Sequence, residues 1–462
     1  MVRYRQPQRT LWEVVLPDAA KLWPAPLRRI DALLEDEAVL EPVAEALERR
    51  WPQSRRRGRH GTPVEVVLRM LVLKHLYRWS YDELEREVRA NLVYRAFSRV
   101  GCETVPDAKT ILKIARALGP EVIQALHRRV VELAIARGVV RGRRLRIDTT
   151  VVETHVHYPT DSRLLADGVR VLTRTMRRVA ALVGAGGRHL RDRQRSVTRR
   201  VFQIVAAARR PQTRPVLHQR YRDLVALTRA VVREAETMRR RVSQQLRRMP
   251  GATRARLTRL QATLRTTLPL VQRVIRQTVA RVVHGDTHVP GKVLSLFEPH
   301  TEAIRKGKAA KPTEFGTVVA IQEAEHQVIT AYTVYPARPD DGALWGPALD
   351  THAQLFGRPP DLAAADRGFS SAANERTATA RGVRRVILPH RGRCSPARRA
   401  HERQRWFRRG QRWRVGSEGR ISVLKHRHGL DRCRYRGFAG MERWVGLGVI
   451  ANNLVTIATA AA

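Results

Sequence analysis

The hydrophobic residues of the first 140 positions recur at helical spacing and are interrupted by short turns. Thr62 to Glu65 reads as a capping box that opens one helix, and Ser80 to Glu83 reads as a second box. Asp107 is placed to cap a third helix, and Gly119 with Pro120 marks the start of a fourth. Short helices joined by tight turns are typical of a helix-turn-helix DNA-binding module and equally of a helical dimerisation domain. We therefore predict an all-helical N-terminal region over residues 1–140 with one of these two roles.

A longer helical pattern follows over residues 161–285, where apolar residues recur with the alternating spacing of four and three that is typical of a coiled-coil seam. Gly184 to Gly187 and Pro211 to Pro215 separate the first two helical stretches, and a third stretch follows Pro250. The seam residues are Leu165, Val169, Leu172, Met176, Val179 and Val183, then Leu217, Tyr221, Leu224, Val231, Ala235, Met238 and Val242, and in the third stretch Leu257, Leu260, Leu264, Val271 and Ile275.

The remaining segments have the pattern of a mixed α/β domain. The stretch RLRIDTTVVETHVHYP has the near-alternating, β-branched pattern of a strand over residues 144–157. From about residue 286 the helical period ends, and strand-like runs such as EFGTVVAI and PDLAAADRGF alternate with helical stretches. We predict that residues 141–160 and 286–462 form one α/β core, with the helical segment 161–285 inserted after its first strand. Such an insertion is tolerated because loop-closure entropy grows only logarithmically with length.

The charge of the chain indicates a polyanionic partner. Lys and Arg number 88 against 42 Asp and Glu, which gives a formal net charge of +46. Residues 161–285 alone hold 30 arginines, no lysine and six acidic residues. Nucleic acid is the expected partner of this helical insertion, because a one-sided surface repels itself unless phosphate neutralises it. An anionic membrane is disfavoured, because the sequence has neither an apolar run of about 18 residues nor a secretory segment. We expect a cytoplasmic protein.

Three cysteines, Cys102, Cys394 and Cys433, are widely spaced and form no C-x-x-C pair. This usage predicts neither a disulfide framework nor a structural zinc site.

Three carboxylates stand at positions that suggest chemistry. Asp148 lies in the middle of the predicted first strand, where an ionised carboxylate is costly unless a cation accompanies it. Asp366 follows the apolar run 362–365, at the carboxyl end of a predicted strand, where open α/β sheets place their sites. Glu418 lies on a predicted helix. There it shares one polar stripe with Gln411, Arg414, Ser422 and Lys425.

Each carboxylate also has a purely structural interpretation. Asp148 could pair with Arg144 or Arg146, Asp366 could form a turn before Gly368, and Glu418 could pair with Arg414 one helical turn away. Taken together, the three acids match the parts of a two-metal site, because hard carboxylate oxygens bind Mg²⁺ or Mn²⁺ and the metals in turn bind a phosphate.

Other polar residues near these positions receive weaker predictions. Glu153 is expected on the surface, and His155 with His157 lacks a third ligand for zinc. Asp340 and Asp341 follow Pro339 and are expected to form a turn, and Glu314 could assist the site from an adjoining strand.

The motifs around the three acids resemble the catalytic signatures of DDE transposases from bacterial insertion sequences. They are RIDTT at Asp148, AADRGF at Asp366, and the spacing of Arg414, Glu418 and Lys425. The N-terminal block PVEVVLRMLVLKHLYRWSYDEL and the closing segment EGRISVLKHRHGLDRCRYRGFAGMERWVGLGVIANNL are also similar to this family, and IDTTVVETHVHYPTDSRLLADGVRVLTR is similar to its ISNCY-type branch.

The resemblance implies an RNase H-like catalytic core in which Asp148, Asp366 and Glu418 are both the catalytic residues and the metal ligands. Arg414 and Lys425 would contact transposon-end DNA. In related transposases a tyrosine commonly stands three residues before that arginine, whereas this chain has Gln411.

The implied activity is that of a DNA transposase. Two Mg²⁺ ions, for which Mn²⁺ can substitute, would serve cleavage at the 3′ end of the element and the joining of the freed 3′-OH to target DNA. The implied partners are double-stranded DNA, as transposon ends and target, and further copies of the chain in a homodimeric or higher-order synaptic complex. Two alternatives stay open: a catalytically inactive DNA-binding protein derived from a transposase, and a metal-dependent nuclease of the same fold.

Overall fold

The computed structural model describes Arg5 and residues 19–50, 61–183, 190–209, 214–246, 249–305 and 312–460. The chain divides into two compact units. The first, which we call the sheet unit, comprises Met1–His155 and Ile304–Ala462; the second, the helical unit, comprises Val156–Ala303. None of the helices in the described residues is both long enough and apolar enough to cross a membrane.

The N-terminal segment is helical, as predicted. The Ser80 capping box forms, because Ser80 Oγ accepts from the Glu83 backbone N–H at 3.1 Å and the Glu83 carboxylate accepts from the Ser80 N–H at 2.6 Å. Asp107 accepts from the Thr110 N–H at 2.6 Å. The helices are α1 Ala25–Leu33, α2 Glu37–Arg50, α3 Val64–Leu76, α4 Tyr81–Ala90, α5 Leu92–Phe97, α6 Ala108–Ala117 and α7 Pro120–Ala136.

The capping box predicted at Thr62 to Glu65 is wrong. Helix α3 begins at Val64 after Pro63, and no side chain caps it. The Glu65 carboxylate accepts instead from Arg69 Nε at 2.9 Å, and Arg69 also pairs with Asp31. Because the Arg69 side chain is fully buried, its need for a counter-charge takes precedence over a cap.

The N-terminal helices share one hydrophobic core with the last helix of the chain. Helix α16, Phe438–Ala460, contributes Leu447, Ile450 and Leu454 to this core, where Leu71 of α3 and Leu126 of α7 are also buried. The helical N-terminal segment and the sheet therefore belong to one compact unit.

The sheet has six strands in the order β2-β3-β1-β5-β6, and β4 also pairs with β3. The pairs β1/β3 and β3/β4 are antiparallel, whereas β1/β5 and β5/β6 are parallel. The first strand ends at Glu153, opposite Gly316, and is shorter than the predicted 144–157. The strands are β1 Arg144–Glu153, β2 Glu302–Arg305, β3 Thr313–Glu323, β4 Ile329–Val334, β5 Leu362–Ala364 and β6 Arg385–Ile387.

Helices cover both faces of this sheet. On one face Leu145 and Ile147 pack with Trp345 and Leu349 of α12, and on the other Val152 packs with residues of α15 and α16. Alternate side chains of β1 thus point to different helices, as the two-residue period of a strand requires. The helices that accompany the sheet are α12 Trp345–Phe356, α13 Ala372–Ala380, α14 Pro396–Arg403, α15 Arg405–His428 and α16.

The helical unit is built on its own apolar core, in which the predicted seam residues Leu165, Leu172, Val231 and Leu264 are buried. It contains α9, a helix that the sequence pattern did not predict. The predicted break at Gly184 to Gly187 lies outside the described residues, as does Pro211. The helices are α8 Asp161–Val183, α9 Gln194–Ala208, α10 Arg214–Gln245 and α11 Gly251–Val283.

Candidate active site

The parallel pairing of β1 with β5 brings two of the predicted acids together. Arg146 lies opposite Ala364 in this pair. Two residues further along each strand stand Asp148 and Asp366, so the same register places them side by side at the carboxyl end of β5. Their charges interact, because the Asp366 carboxylate raises the pKa of Asp148.

Asp148 is held from helix α15. Ser417 Oγ donates a hydrogen bond to Asp148 Oδ2 at 2.8 Å, and the Thr149 backbone N–H donates to Asp148 Oδ1 at 2.8 Å. Burial is the largest cause of the raised pKa of the Asp148 carboxyl; the Ser417 hydrogen bond opposes it, and the charge of Asp366 adds to it. The alternative in which Asp148 pairs with Arg146 is wrong, because Arg146 pairs with Glu323.

Asp366 caps a single turn of 3₁₀ helix, Arg367–Phe369, by accepting from the Gly368 backbone N–H at 2.8 Å. The predicted turn-forming role is therefore present. It does not exclude a further role, since this hydrogen bond involves one carboxylate oxygen, Oδ1.

A further acid lies at this place, Asp341, which begins the 3₁₀ helix Asp341–Leu344. Thr149 Oγ1 donates to Asp341 Oδ1 at 3.2 Å. Asp341 Oδ2 and Asp366 Oδ1 both lie about 3 Å from the point that a Cβ on Gly368 would occupy. The sequence interpretation of Asp341 as a turn residue is correct for its backbone but missed its proximity to Asp366.

Glu418 is on helix α15, next to Ser417, but its side chain is 67% exposed and pairs with Arg414. Arg414 Nη2 donates to Glu418 Oε1 at 3.2 Å, as the structural interpretation of this pair predicted. The Arg414 side chain is only 15% exposed, and its positive charge opposes the rise in the pKa of Asp148 that burial causes. Arg414 is thus close enough to act electrostatically on Asp148 while it contacts Glu418.

Lys425 lies two turns further along α15, at a different place in the sheet unit. It lines a cavity of about 820 Å³ that contains three arginines and three acids. Two of these arginines have carboxylate partners there: Arg78 with Asp431 at 3.0 Å and Arg432 with Glu153 at 3.3 Å. The lining residues are Arg78, Glu153, His155, Glu314, Lys425, Asp431, Arg432 and Arg434.

A buried ion pair within the sheet also contacts helix α15. Arg146 on β1 pairs with Glu323 on β3, donates to the Trp413 carbonyl, and lies over the Trp413 ring at 4.9 Å. A Cβ on Gly416 would come within 2.6 Å of Arg146 Nη1. Glycine at this position therefore allows the guanidinium to lie against the helix one residue before Ser417.

The donor set fits a divalent cation in part. Asp148 and Asp366 supply adjacent hard oxygens in a partly buried place, and their mutual repulsion is the kind that a cation relieves. Among the described residues, no group of three or more His, Cys, Asp or Glu side chains is arranged to hold a metal ion. The structure thus brings two of the predicted ligands together and leaves Glu418 paired with Arg414.

Two protein families match the chain. Residues 17–117 match the family described as Transposase domain (DUF772), and residues 286–454 match the Transposase DDE domain. The second segment contains Asp366 and Glu418, and Asp148 lies beside Asp366 in the β1/β5 register. The chain belongs to the DDE transposases of insertion sequences.

The DDE domain implies an RNase H-like core for this transposase, and the mixed sheet described above accompanies a helical N-terminal segment. DDE transposases generally use divalent metal ions. Asp148 lies outside both matched segments, and its assignment rests on its motif and on its register with Asp366.

A protein from Rhizobium meliloti is similar to part of the chain. The chain is 28% identical over 123 residues to "Uncharacterized protein ORF8 in nfe locus". The match covers 25% of this chain and 59% of that protein, so the chain spans less than two thirds of the relative's length. No solved structure matches the chain.

Proposed function

We propose that this transposase is catalytically active, cutting DNA at the ends of its element by phosphodiester hydrolysis and joining the 3′-OH to target DNA. The observation that supports the proposal most is the adjacency of Asp148 and Asp366 in the β1/β5 register. Two like charges beside each other in a partly buried place are unfavourable for folding alone. Functional sites are where such arrangements are found.

In this proposal Asp148, Asp366 and Glu418 are the catalytic residues and would hold two Mg²⁺ ions. Bound there, the ions supply Lewis-acid polarisation of the scissile phosphate and of the attacking oxygen. Ser417 keeps Asp148 Oδ2 in place through its 2.8 Å hydrogen bond, and Arg414 brings positive charge to the same place. Glu418 is one helix position from Ser417 and would exchange its contact with Arg414 for the cation.

The proposed roles of the other residues concern DNA. Lys425 adds positive charge on α15 to a cavity in which three arginines are matched by three acids. Arg414 and Lys425 are the proposed contacts to transposon-end DNA. The segment 1–140 is the proposed DNA-binding or dimerisation region of a complex that holds two or more copies of the chain.

The test is an assay on a duplex that carries the inverted repeats flanking the gene, mixed with a target plasmid. The proposal predicts a 3′ nick at the repeat end and a joined product, both dependent on added Mg²⁺. A nick without joining would indicate a nuclease of the same fold. Binding of the duplex with neither product would indicate a DNA-binding protein without catalysis.

A further inference from the structure

The helical unit has an apolar interior and a strongly basic exterior. Its core is made of aliphatic side chains from all four helices, for example Leu172 on α8, Ile204 on α9, Val231 on α10 and Leu264 on α11. Residues 161–285 contain 30 arginines and only six acidic residues. These carboxylates are too few to neutralise the arginines of their own helices, so the surface keeps a large positive charge.

Four of these arginines form a straight row on α10. Arg222, Arg229, Arg233 and Arg240 are all exposed. Their spacings of seven, four and seven residues place them within about 20° of one line along the helix. At 1.5 Å per residue the row is about 27 Å long. The opposite face of α10 carries buried residues, such as Leu224 and Val231, so this row points away from the core.

The acidic residues of α10 are engaged elsewhere. Asp223 accepts from Gln219 at 3.0 Å, and Glu234 accepts at 2.7 Å from Arg193, which precedes α9. Glu236, the acid nearest to the row, accepts from Gln272 of α11 at 2.6 Å. The hydrogen-bond partners of these three carboxylates are therefore side chains other than the four arginines of the row.

We propose that the α10 arginine row binds the sugar-phosphate backbone of double-stranded DNA without reading its sequence. Duplex DNA carries one negative charge per about 1.7 Å of its axis, so a duplex along the row offers phosphates over its whole length. Guanidinium groups bind phosphate oxygens in pairs of parallel hydrogen bonds, which suits arginine better than lysine. A membrane surface fits less well, because the apolar face that α10 would insert is already buried in the bundle.

The choice of DNA as the polyanion rests on the proposed function. The row belongs to the helical unit, whereas Asp148, Asp366 and Glu418 belong to the sheet unit. DNA binding by the row and cleavage by the carboxylates can therefore be changed separately.

The test compares the full-length protein with a variant in which Arg222, Arg229, Arg233 and Arg240 are all changed to Gln. Binding to a fluorescent duplex is measured by anisotropy between about 50 and 200 mM salt. The slope of log K against log salt is negative, and each lost phosphate contact reduces its magnitude by about 0.9. The magnitude should therefore decrease by about 3 to 4 in the fourfold variant. Affinity at the highest salt should fall by about tenfold or more, equally for end-containing and random duplexes.

A matched control keeps the number of substitutions equal. The double variant Arg229→Gln, Arg233→Gln is compared with the double variant Arg170→Gln, Arg177→Gln. The two control arginines already have carboxylate partners: Arg170 pairs with Asp167 at 2.5 Å, and Arg177 pairs with Asp192 at 2.8 Å. The row pair should lower the salt slope by about 2 and the control pair by clearly less. Circular dichroism checks that each variant is folded.

Three results would overturn the inference. They are an unchanged salt slope in the folded fourfold variant, a loss confined to end-containing DNA, and a loss of binding to anionic vesicles or to RNA without a loss for duplex DNA. Nicking by the wild type is scored separately. If the wild type does not nick but the fourfold variant loses duplex binding, the proposed function fails and the role of the row stands.

Discussion

The buried ion pair between Arg146 on β1 and Glu323 on β3 offers the sharpest test of what stabilises the sheet beside helix α15. Removing only the carboxylate, as in Glu323→Leu, leaves the Arg146 guanidinium buried without its counter-charge. Removing only the guanidinium, as in Arg146→Met, likewise leaves the Glu323 carboxylate buried without the counter-charge of Arg146. Removing both leaves two apolar side chains in place of the pair. A double-mutant cycle over these variants isolates the energy of the pair itself.

The expected magnitude follows from burial. The two side chains are 4% and 2% exposed. Two charges about 4 Å apart at an effective dielectric constant near 20 attract by about 4 kcal/mol, and breaking one side of a buried pair typically costs about 3–5 kcal/mol. Each single variant should therefore lose about 3–5 kcal/mol of unfolding free energy. The double variant should lose much less than the sum, because no buried charge is left unpaired.

Urea unfolding followed by tryptophan fluorescence reports on the sheet unit, which contains Arg146 and Glu323. None of the eight tryptophans of the sequence falls within residues 156–303, which form the helical unit. The exposed bidentate pair Arg381 and Asp350 serves as the control, and its removal should cost less than about 1 kcal/mol. Single variants at Arg146 or Glu323 that lose no more than this control, or strict additivity in the double variant, would refute the reasoning.

Three further predictions concern the stability of the sheet unit. Burial, with the charge of Arg434, lowers the pKa of Lys74 from 10.5 to about 7, so the folded state binds fewer protons than the unfolded state between these values. Stability should therefore rise from pH 7 to pH 9 by about 2–3 kcal/mol in urea unfolding, and Lys74→Met should remove this rise. Gly316→Ala should lower the midpoint of thermal unfolding strongly, because its Cβ would come within 2.8 Å of Glu153 Cα. Gly419→Ala, with no atom within 4 Å of its Cβ, should instead gain up to about 1 kcal/mol in urea unfolding.

Asp148 and Asp366 could each be singled out from the sequence because each stands in a recognisable local pattern. Asp148 stands in the middle of a strand pattern, and Asp366 stands at the carboxyl end of a short apolar run. The two acids lie side by side if these two strands are parallel neighbours in the sheet. The strand β5 is three residues long, and its turn chemistry at Gly368 is visible in the sequence.

The contacts across the sheet could not be predicted in the same way. The pair of Arg414 and Glu418 is an exception, because it lies within one helix and follows from the spacing of four residues between them. Ser417 and Asp341 reach the site only through tertiary packing of α15 and of the segment before α12. Gly416, directly before Ser417, is a local signal of a close approach at this helix, and Gly410 is another.

Helix α9 was missed for a related reason. Val197 and Ile204 are its buried residues, whereas Phe202 is 70% exposed and Val205 is 40% exposed. Apolar residues on both sides of a helix obscure the period of 3.6 that identifies it.

The measurement that tests the central claim most directly is strand transfer by Asp148→Asn. Asparagine keeps an oxygen that accepts from Ser417, so the fold and the binding of end-containing DNA should remain. Asp350→Asn, an acid-to-amide change at a half-exposed residue of the same unit, is the matched control and should keep its activity. The account predicts that Asp148→Asn neither nicks nor joins DNA in Mg²⁺ or Mn²⁺. Metal-dependent strand transfer by this variant at the rate of the control would contradict it.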